Sequence, residues 1–374
     1  MALRSARGAV LLGTGPIVDA LLSEMRARAR CGYRVIGIVT RDPVDEENYR
    51  GWPVLGALDE LHRVVLEWQP EVIVVALPET ASIAEIQQLL DAKVRRHVQV
   101  ELAQTVYERI TGKVPIESSV AGEVIYSDHF QPGRVSMLVA RLSSLVVALV
   151  GLVCLAPLLL LISLLIKLDS RGPALFVQER LGAAGRRFRL LKFRTMHPAE
   201  NHESEWENDN THRITRVGRW LRKSRLDELP QFFNVLKGDM NIVGPRPHPA
   251  CNFELFVLAA RNTPESGLQI PYYSLRSSVR PGITGWAQVR YRYANNLDEE
   301  LEKLRFDLYY LKHYSLWLDI RIMLETALMI FARGHSARAA GESRSPRATP
   351  ELRVETERVR LLPAQDRASQ YPRF

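Results

Sequence analysis

The 374-residue sequence predicts an α/β chain in which one membrane-embedded helix separates a parallel-sheet region from a mostly helical α+β region. Three observations carry that prediction. Residues 8–115 alternate short β-branched runs with helical patterns, the rhythm of a parallel sheet covered by helices. Leu142 to Ile166 is a run of 25 residues without a charge, about 37 Å long as a helix and so able to cross a bilayer. Residues 169–332 are rich in Arg, Gly, Pro and aromatics and read as helices and loops. With 46% hydrophobic and 25% charged residues, the chain is neither fully disordered, collagen-like nor multi-span.

In the first region Val10–Leu12, Arg34–Val39 and Val72–Leu77 read as strands, and Val18–Arg30 and Leu58–Trp68 as helices. The opening Met1 to Gly15 has too short an apolar run for a signal peptide. Gly13 and Gly15 form a Gly-x-Gly turn between a strand and a helix start, where backbone amides could approach a pyrophosphate. Asp42, after the second strand, could take a ribose hydroxyl. The fingerprint is incomplete, because Val18 stands where the third glycine belongs and Pro16 crowds the turn. The favoured reading is a Rossmann-like layer that binds no catalytic cofactor.

The apolar run is flanked by Arg134 and Arg141 before it and by Lys167 and Arg171 after it. Pro157 inside it should kink or break the helix. Basic residues on both sides give a single crossing no orientation, so a re-entrant hairpin and a kinked span both remain open on the residues alone. The three cysteines, Cys31, Cys154 and Cys251, offer neither a disulfide framework nor a zinc site.

The second region carries the chemistry. Arg180, Arg186, Arg187, Arg189, Lys192 and Arg194 crowd one stretch, and Arg213, Arg216, Arg219 and Arg222 recur every three residues, followed by Lys223 and Arg225. Guanidinium forks suit phosphate, although most such side chains simply face water or lipid headgroups. The sign then reverses at Asp227-Glu228. Adjacent carboxylates in a basic setting suit divalent-metal phosphate chemistry: one can hold Mg²⁺ and the other can attack phosphorus. Surrounding cations should keep the carboxylate ionised and stabilise charge on a transferring phosphoryl group. Alone, an Asp-Glu pair is usually a helix surface feature. Gly244 to Pro247 reads as a rigid turn able to aim Arg246 into a site, and Val279 to Gln288 as another tight turn. Glu299–Phe331 reads as one helical pattern whose Tyr309, Tyr310, Tyr314 and Trp317 suit either a membrane interface or a core. The net charge is +8, and the segment from Arg333 holds nine arginines against five acids, half the excess. That tail reads as disordered.

From about residue 134 to 332 the chain resembles the bacterial sugar transferases, the monotopic polyprenyl-phosphate phosphoglycosyl transferases. The matching runs are KFRTM at 192–196, LDELPQFFNVLKGDMNIVGPRP at 226–247, VRPGITGWAQV at 279–289 and FDLYYLKHYSLWLDI at 306–320. The region before it resembles the Rossmann-like part of larger members, including YERITGKVPIES at 107–118. The resemblance implies transfer of a sugar 1-phosphate from a UDP-sugar to undecaprenyl phosphate, with UMP released and Mg²⁺ as cofactor. It implies Asp227 as the nucleophile that forms a phospho-sugar intermediate and Glu228 as the Mg²⁺ ligand. Arg246 and Arg280 would lie at the phosphate site, Arg222 just ahead of the pair, Asp307 as an acid beside it, and Lys192 and Arg194 within a family motif. It implies a re-entrant helix broken at Pro157 and a seat on the bacterial inner membrane, with the soluble parts on the cytoplasmic side. Ala156 stands where many members have Ser, and Arg290-Tyr291-Arg292 where many have Asn-Gly-Arg, which leaves the sugar unread. The implied division is 8–118, a linker at 119–133, the helix at 134–168, the transferase region at 169–332 and the tail at 333–374. A homodimer is open, and nucleic acid is remote as a partner. The competing readings are an NAD-dependent nucleotide-sugar enzyme using the first region, and a membrane-anchored nucleotide-sensing scaffold.

Overall fold

The computed structural model describes residues 6–28, 31–41, 47–76, 87, 89, 98–116, 132–197, 213–249, 273–291 and 297–335. Asp42, Arg292, most of the expected linker and the tail beyond His335 lie outside them.

The first region is a six-stranded sheet. Its strands are β1 (Arg7–Leu12), β2 (Tyr33–Thr40), β3 (Asn48–Tyr49), β4 (Trp52–Ala57), β5 (Val72–Val75) and β6 (Gln99–Leu102), in the order β3-β4-β2-β1-β5-β6. All neighbours pair parallel except β3 with β4. Among the described residues three full helices cover it: α1 (Pro16–Ala27), α2 (Leu61–Trp68) and α3 (Ala103–Thr111). Ala9 and Leu11 of β1 pack with α1 and α3, while Val10 and Leu12 pack with α2. Burial on both faces explains why the strands read as continuous apolar runs. A fully buried leucine such as Leu21 contributes about 1.5–3 kcal/mol. α1 begins two residues before the expected Val18, because Pro16 at its first position pre-sets a helical φ.

α4 (Arg134–Asp169) contains the apolar run. It is long and apolar enough to cross a membrane, and little of its most apolar stretch is buried by protein. The helix continues through Pro157 instead of breaking there. Proline removes one N–H, and the turns on either side keep their own bonds. Both halves touch the second region: Arg141 donates to the Met240 carbonyl at 3.0 Å, and Ile162 and Ile166 pack on Phe193 and Leu221.

The second region follows as a hairpin, β7 (Leu175–Leu181) with β8 (Arg187–Phe193), then α5 (Arg216–Ser224), α6 (Gln231–Lys237) and β9 (Asn241–Val243). β9 pairs parallel with β10 (Gly282–Thr284), and α7 (Trp286–Arg290), α8 (Leu297–Lys312) and α9 (Leu316–His335) complete it. The stretch read as a tight turn at 279–288 is therefore a strand and a helix start. The single helix expected over 299–331 is two, because Ser315 accepts the Leu318 amide and restarts the chain as α9. Tyr310 is core and Trp317 is exposed, so the two readings of those aromatics divide between them.

Candidate active site

The site forms where α5 stops. Thr215 caps α5 by accepting the Gly218 amide at 2.9 Å. Arg225 ends it in the left-handed region at φ 55°, and one 3₁₀ turn, Leu226–Glu228, leads towards α6. Leu226 and Leu229, three residues apart, pack towards Ile162, Ile166, Phe193 and Leu221 under α4. The same turn directs Asp227 and Glu228 to the cationic side.

Two cations hold Glu228. Arg246 Nη2 lies 2.9 Å from its Oε1 and Lys192 Nζ lies 3.6 Å away. Lys192 comes from β8 and Arg246 from the loop after β9. That loop needs glycine at 244: a Cβ there would meet the Arg280 carbonyl oxygen at 2.5 Å, because β9 and β10 pass at backbone distance. Arg222 is fixed through Nε to the Thr195 hydroxyl at 3.1 Å.

The two carboxylates diverge. Burial alone would raise Glu228, but Arg246, Lys192 and Arg225 outweigh it and hold its pKa at about 2. Burial and the neighbouring Glu228 charge push Asp227 up to about 6, against the pull of Lys192, Arg246 and Arg222. The expectation that the cations lower a carboxylate thus holds for Glu228 and is reversed for Asp227. Burial and Arg246 bring the Lys192 ammonium down to about 8.

The remaining sequence candidates are placed as follows. Arg194 does not join the cluster. Its guanidinium donates to the Ser170 carbonyl and hydroxyl and to the Arg171 carbonyl, at 2.8–2.9 Å, and so closes the C-terminus of α4. Arg280 is exposed and donates to the Gly238 carbonyl at 3.1 Å. Asp307, on α8, is buried and paired to Arg276 at 2.7 Å. Arg276 also donates to the Arg246 carbonyl at 3.2 Å, so Asp307 reaches the carboxylates through two arginines.

Sequence reasoning misses Arg276, since nothing in its local pattern separates it from other arginines. With Arg246, His248, Ser277 and Gly182 it lines a cleft walled by Pro245, Pro247 and Pro281. Arg246 stands at both this cleft and the Glu228 carboxylate.

Gly13 and Gly15 do form the turn before α1, both with positive φ. A Cβ at Gly13 would meet the Ala76 carbonyl oxygen at 2.7 Å, so glycine is required where β1 and β5 converge. The Gly15 amide is already engaged by the Tyr49 hydroxyl at 3.2 Å, which in turn donates to Asp19 at 2.7 Å. Arg50 holds the other oxygen of Asp19 at 2.7 Å.

The comparisons with known proteins agree with the geometry. A profile described as bacterial sugar transferase matches residues 135–333. A UDP-N-acetylgalactosamine-undecaprenyl-phosphate N-acetylgalactosaminephosphotransferase of Aeromonas hydrophila is 35% identical over 290 residues, 74% of this chain and 65% of its own. A UDP-glucose:undecaprenyl-phosphate glucose-1-phosphate transferase of Xanthomonas campestris pv. campestris is 35% identical over 322 residues, 81% of this chain and 62% of its own. Another of that name, from Caulobacter vibrioides, is 45% identical over 174 residues, 46% of this chain and 61% of its own. The chain spans less than two thirds of the length of each of these relatives. With the profile covering more than half its residues, and the adjacent carboxylates Asp227 and Glu228 near the centre of the matched stretch, this chain belongs to the bacterial sugar transferase family.

Proposed function

We propose that the chain transfers a sugar 1-phosphate from a UDP-sugar to undecaprenyl phosphate, as the names of its relatives state for them. The observation that carries this reading is the pair of adjacent carboxylates, Glu228 buried and Asp227 half-buried, of which Glu228 is tied to Arg246 and Lys192. A carboxylate held by two cations is a poor nucleophile. Its neighbour, with a pKa near 6, is ionised at neutral pH and more basic, so it attacks better. An Asp227 oxygen would form a bond to the sugar-bearing phosphorus as the bond to UMP breaks. The undecaprenyl phosphate oxygen would then attack the same phosphorus and release Asp227.

Mg²⁺ prefers one or two carboxylates together with phosphate oxygens over an all-protein cage. Glu228 fits that pattern as a single carboxylate kept ionised by Arg246 and Lys192. Glu228 would hold the ion, which would supply charge neutralisation at the diphosphate. Arg246, Lys192 and Arg222 would bind the transferring phosphates, with Arg280 at the rim.

The first region is read as a Rossmann-like layer, supported by its sheet order, and α4, unbroken at Pro157, as a re-entrant helix bent there so that both its ends stay at the cytoplasmic leaflet of the inner membrane. The re-entrant reading is supported by polar contacts at both ends of α4 with the same body, Arg141 to Met240 and Arg194 to Ser170. A perpendicular crossing would carry one of those contacts through the bilayer.

The experiment is UMP release across a panel of UDP-sugars with undecaprenyl phosphate and Mg²⁺, and Asp227→Asn alongside. Donor-specific release that Asp227→Asn abolishes is expected. Full release by Asp227→Asn would sink the mechanism.

A further inference from the structure

Glu108 lies on α3, the last helix of the sheet region, and its side chain is 4% exposed. Its Oε1 pairs with Lys312 at 2.8 Å and its Oε2 lies 3.1 Å from His313 Nε2, at the C-terminal end of α8. A buried ion pair is a poor source of stability, since desolvation offsets the attraction, but it selects one register between two elements. Here it fixes α3 against α8. The chain beyond α3 reinforces that placement. Lys113 pairs with Glu302 of α8 at 2.6 Å, the Val114 amide donates to the Arg305 carbonyl, and the Gly112 carbonyl accepts the Trp286 indole at 2.7 Å. Val114 and Ile116 are buried in the core of the second region.

α8 also carries Asp307. From it a continuous chain of contacts reaches the carboxylates: Asp307 to Arg276 at 2.7 Å, Arg276 to the Arg246 carbonyl at 3.2 Å, and Arg246 to Glu228 at 2.9 Å. A shift of α8 therefore moves the backbone that aims Arg246. We propose that Glu108 is a positioning residue, through which the sheet region sets Arg246 against Glu228 by way of α8. The sheet region is then a working part of the site and not an appended module. The proposal rests on the site proposed above for its activity readout, and on geometry alone for its structural one.

The test is hydrogen exchange on the full-length chain in lipid nanodiscs, read by mass spectrometry, with UMP release measured in parallel. Glu108→Gln should speed exchange severalfold in peptides covering 103–116 and 306–312, and also in 241–249. UMP release should fall on the order of tenfold, the scale of a small misplacement of a catalytic group. Arg63→Ala, which breaks an exposed ion pair with Glu60 in the sheet region, should change neither. Glu108→Gln and Arg276→Lys should combine less than multiplicatively, because both act on Arg246. Lys312→Arg keeps the charge and should restore most of the protection lost in Lys312→Met. Exchange raised only at 103–116 and 306–312, with 241–249 as in the wild type, would overturn the proposal. If Glu108→Gln does not fold, the same peptides in Lys312→Met and Lys312→Arg decide the coupling. If the wild-type chain releases no UMP, the exchange arm still decides the coupling while the proposed reaction fails.

Discussion

Two turns of this molecule carry the sequence marks of an anion site, and their surroundings differ. The glycine turn at Gly13–Gly15 presents a helix N-terminus, but its Gly15 amide is engaged by Tyr49 and an acid, Asp19, stands beside it. Burial would raise Asp19, but hydrogen bonds from Arg50 and Tyr49 hold it below the usual carboxylate range. The Asp227 turn lies among Lys192, Arg222 and Arg246, with its own carboxyl raised. One acid is spent inside a local network, and the other is kept ionisable near neutrality beside cations already anchored. A helix-start turn whose amide and neighbouring acid are spent on each other has little left for an anion, so glycine spacing alone does not make a phosphate site.

The largest expected effect sharpens that contrast. Asp227→Asn is nearly isosteric but cannot attack phosphorus, so UMP release should drop by at least about 10³-fold. Arg246→Met comes next. It removes the cation at 2.9 Å from Glu228 and a donor to the transferring phosphate, and should cost about 10²–10³-fold. Its donor KM should rise as well, since the same guanidinium stands at the cleft.

A pH profile tests the electrostatic half. Asp227 must be ionised to attack, so the rate should fall as pH drops through about 6. Lys192 favours the charged form of Asp227, so Lys192→Met should move that acid limb to higher pH. A limb unmoved, or moved down, would remove Lys192 from the account.

Both turns are legible in the sequence, because glycine spacing and the reversal of charge at Asp227-Glu228 are local patterns. The α/β rhythm and α4 are legible for the same reason: period and length are written along the chain. Long-range pairing is not. Tyr49 meets Gly15 across 34 residues, and no local signal on β3 marks it as the group that closes the turn. Arg194 is a cation in the same setting as Lys192, yet it closes α4 because Ser170 and Arg171 are brought to it. Glu108 reads as one more charge on a helix; its burial is created by α8, some 200 residues later. The divergence of Asp227 from Glu228 likewise depends on which of two neighbours the cations reach.

The smallest expected effect falls on the glycine turn, and it is the one that would break the contrast. Tyr49→Phe keeps the ring and removes the hydroxyl that accepts from Gly15 and donates to Asp19. Losing those bonds at a partly buried site should cost about 1 kcal/mol in chemical denaturation. UMP release should stay within about twofold of the wild type, since the proposed transfer runs at Asp227 and not at this turn. Titration with NAD⁺ or UDP should show no new binding, because Asp19 remains beside the freed amide and repels an anion. If Tyr49→Phe instead gained micromolar nucleotide affinity, Tyr49 would be an occupant of a working anion site. The difference between the two turns would then be one of occupancy, not of chemistry.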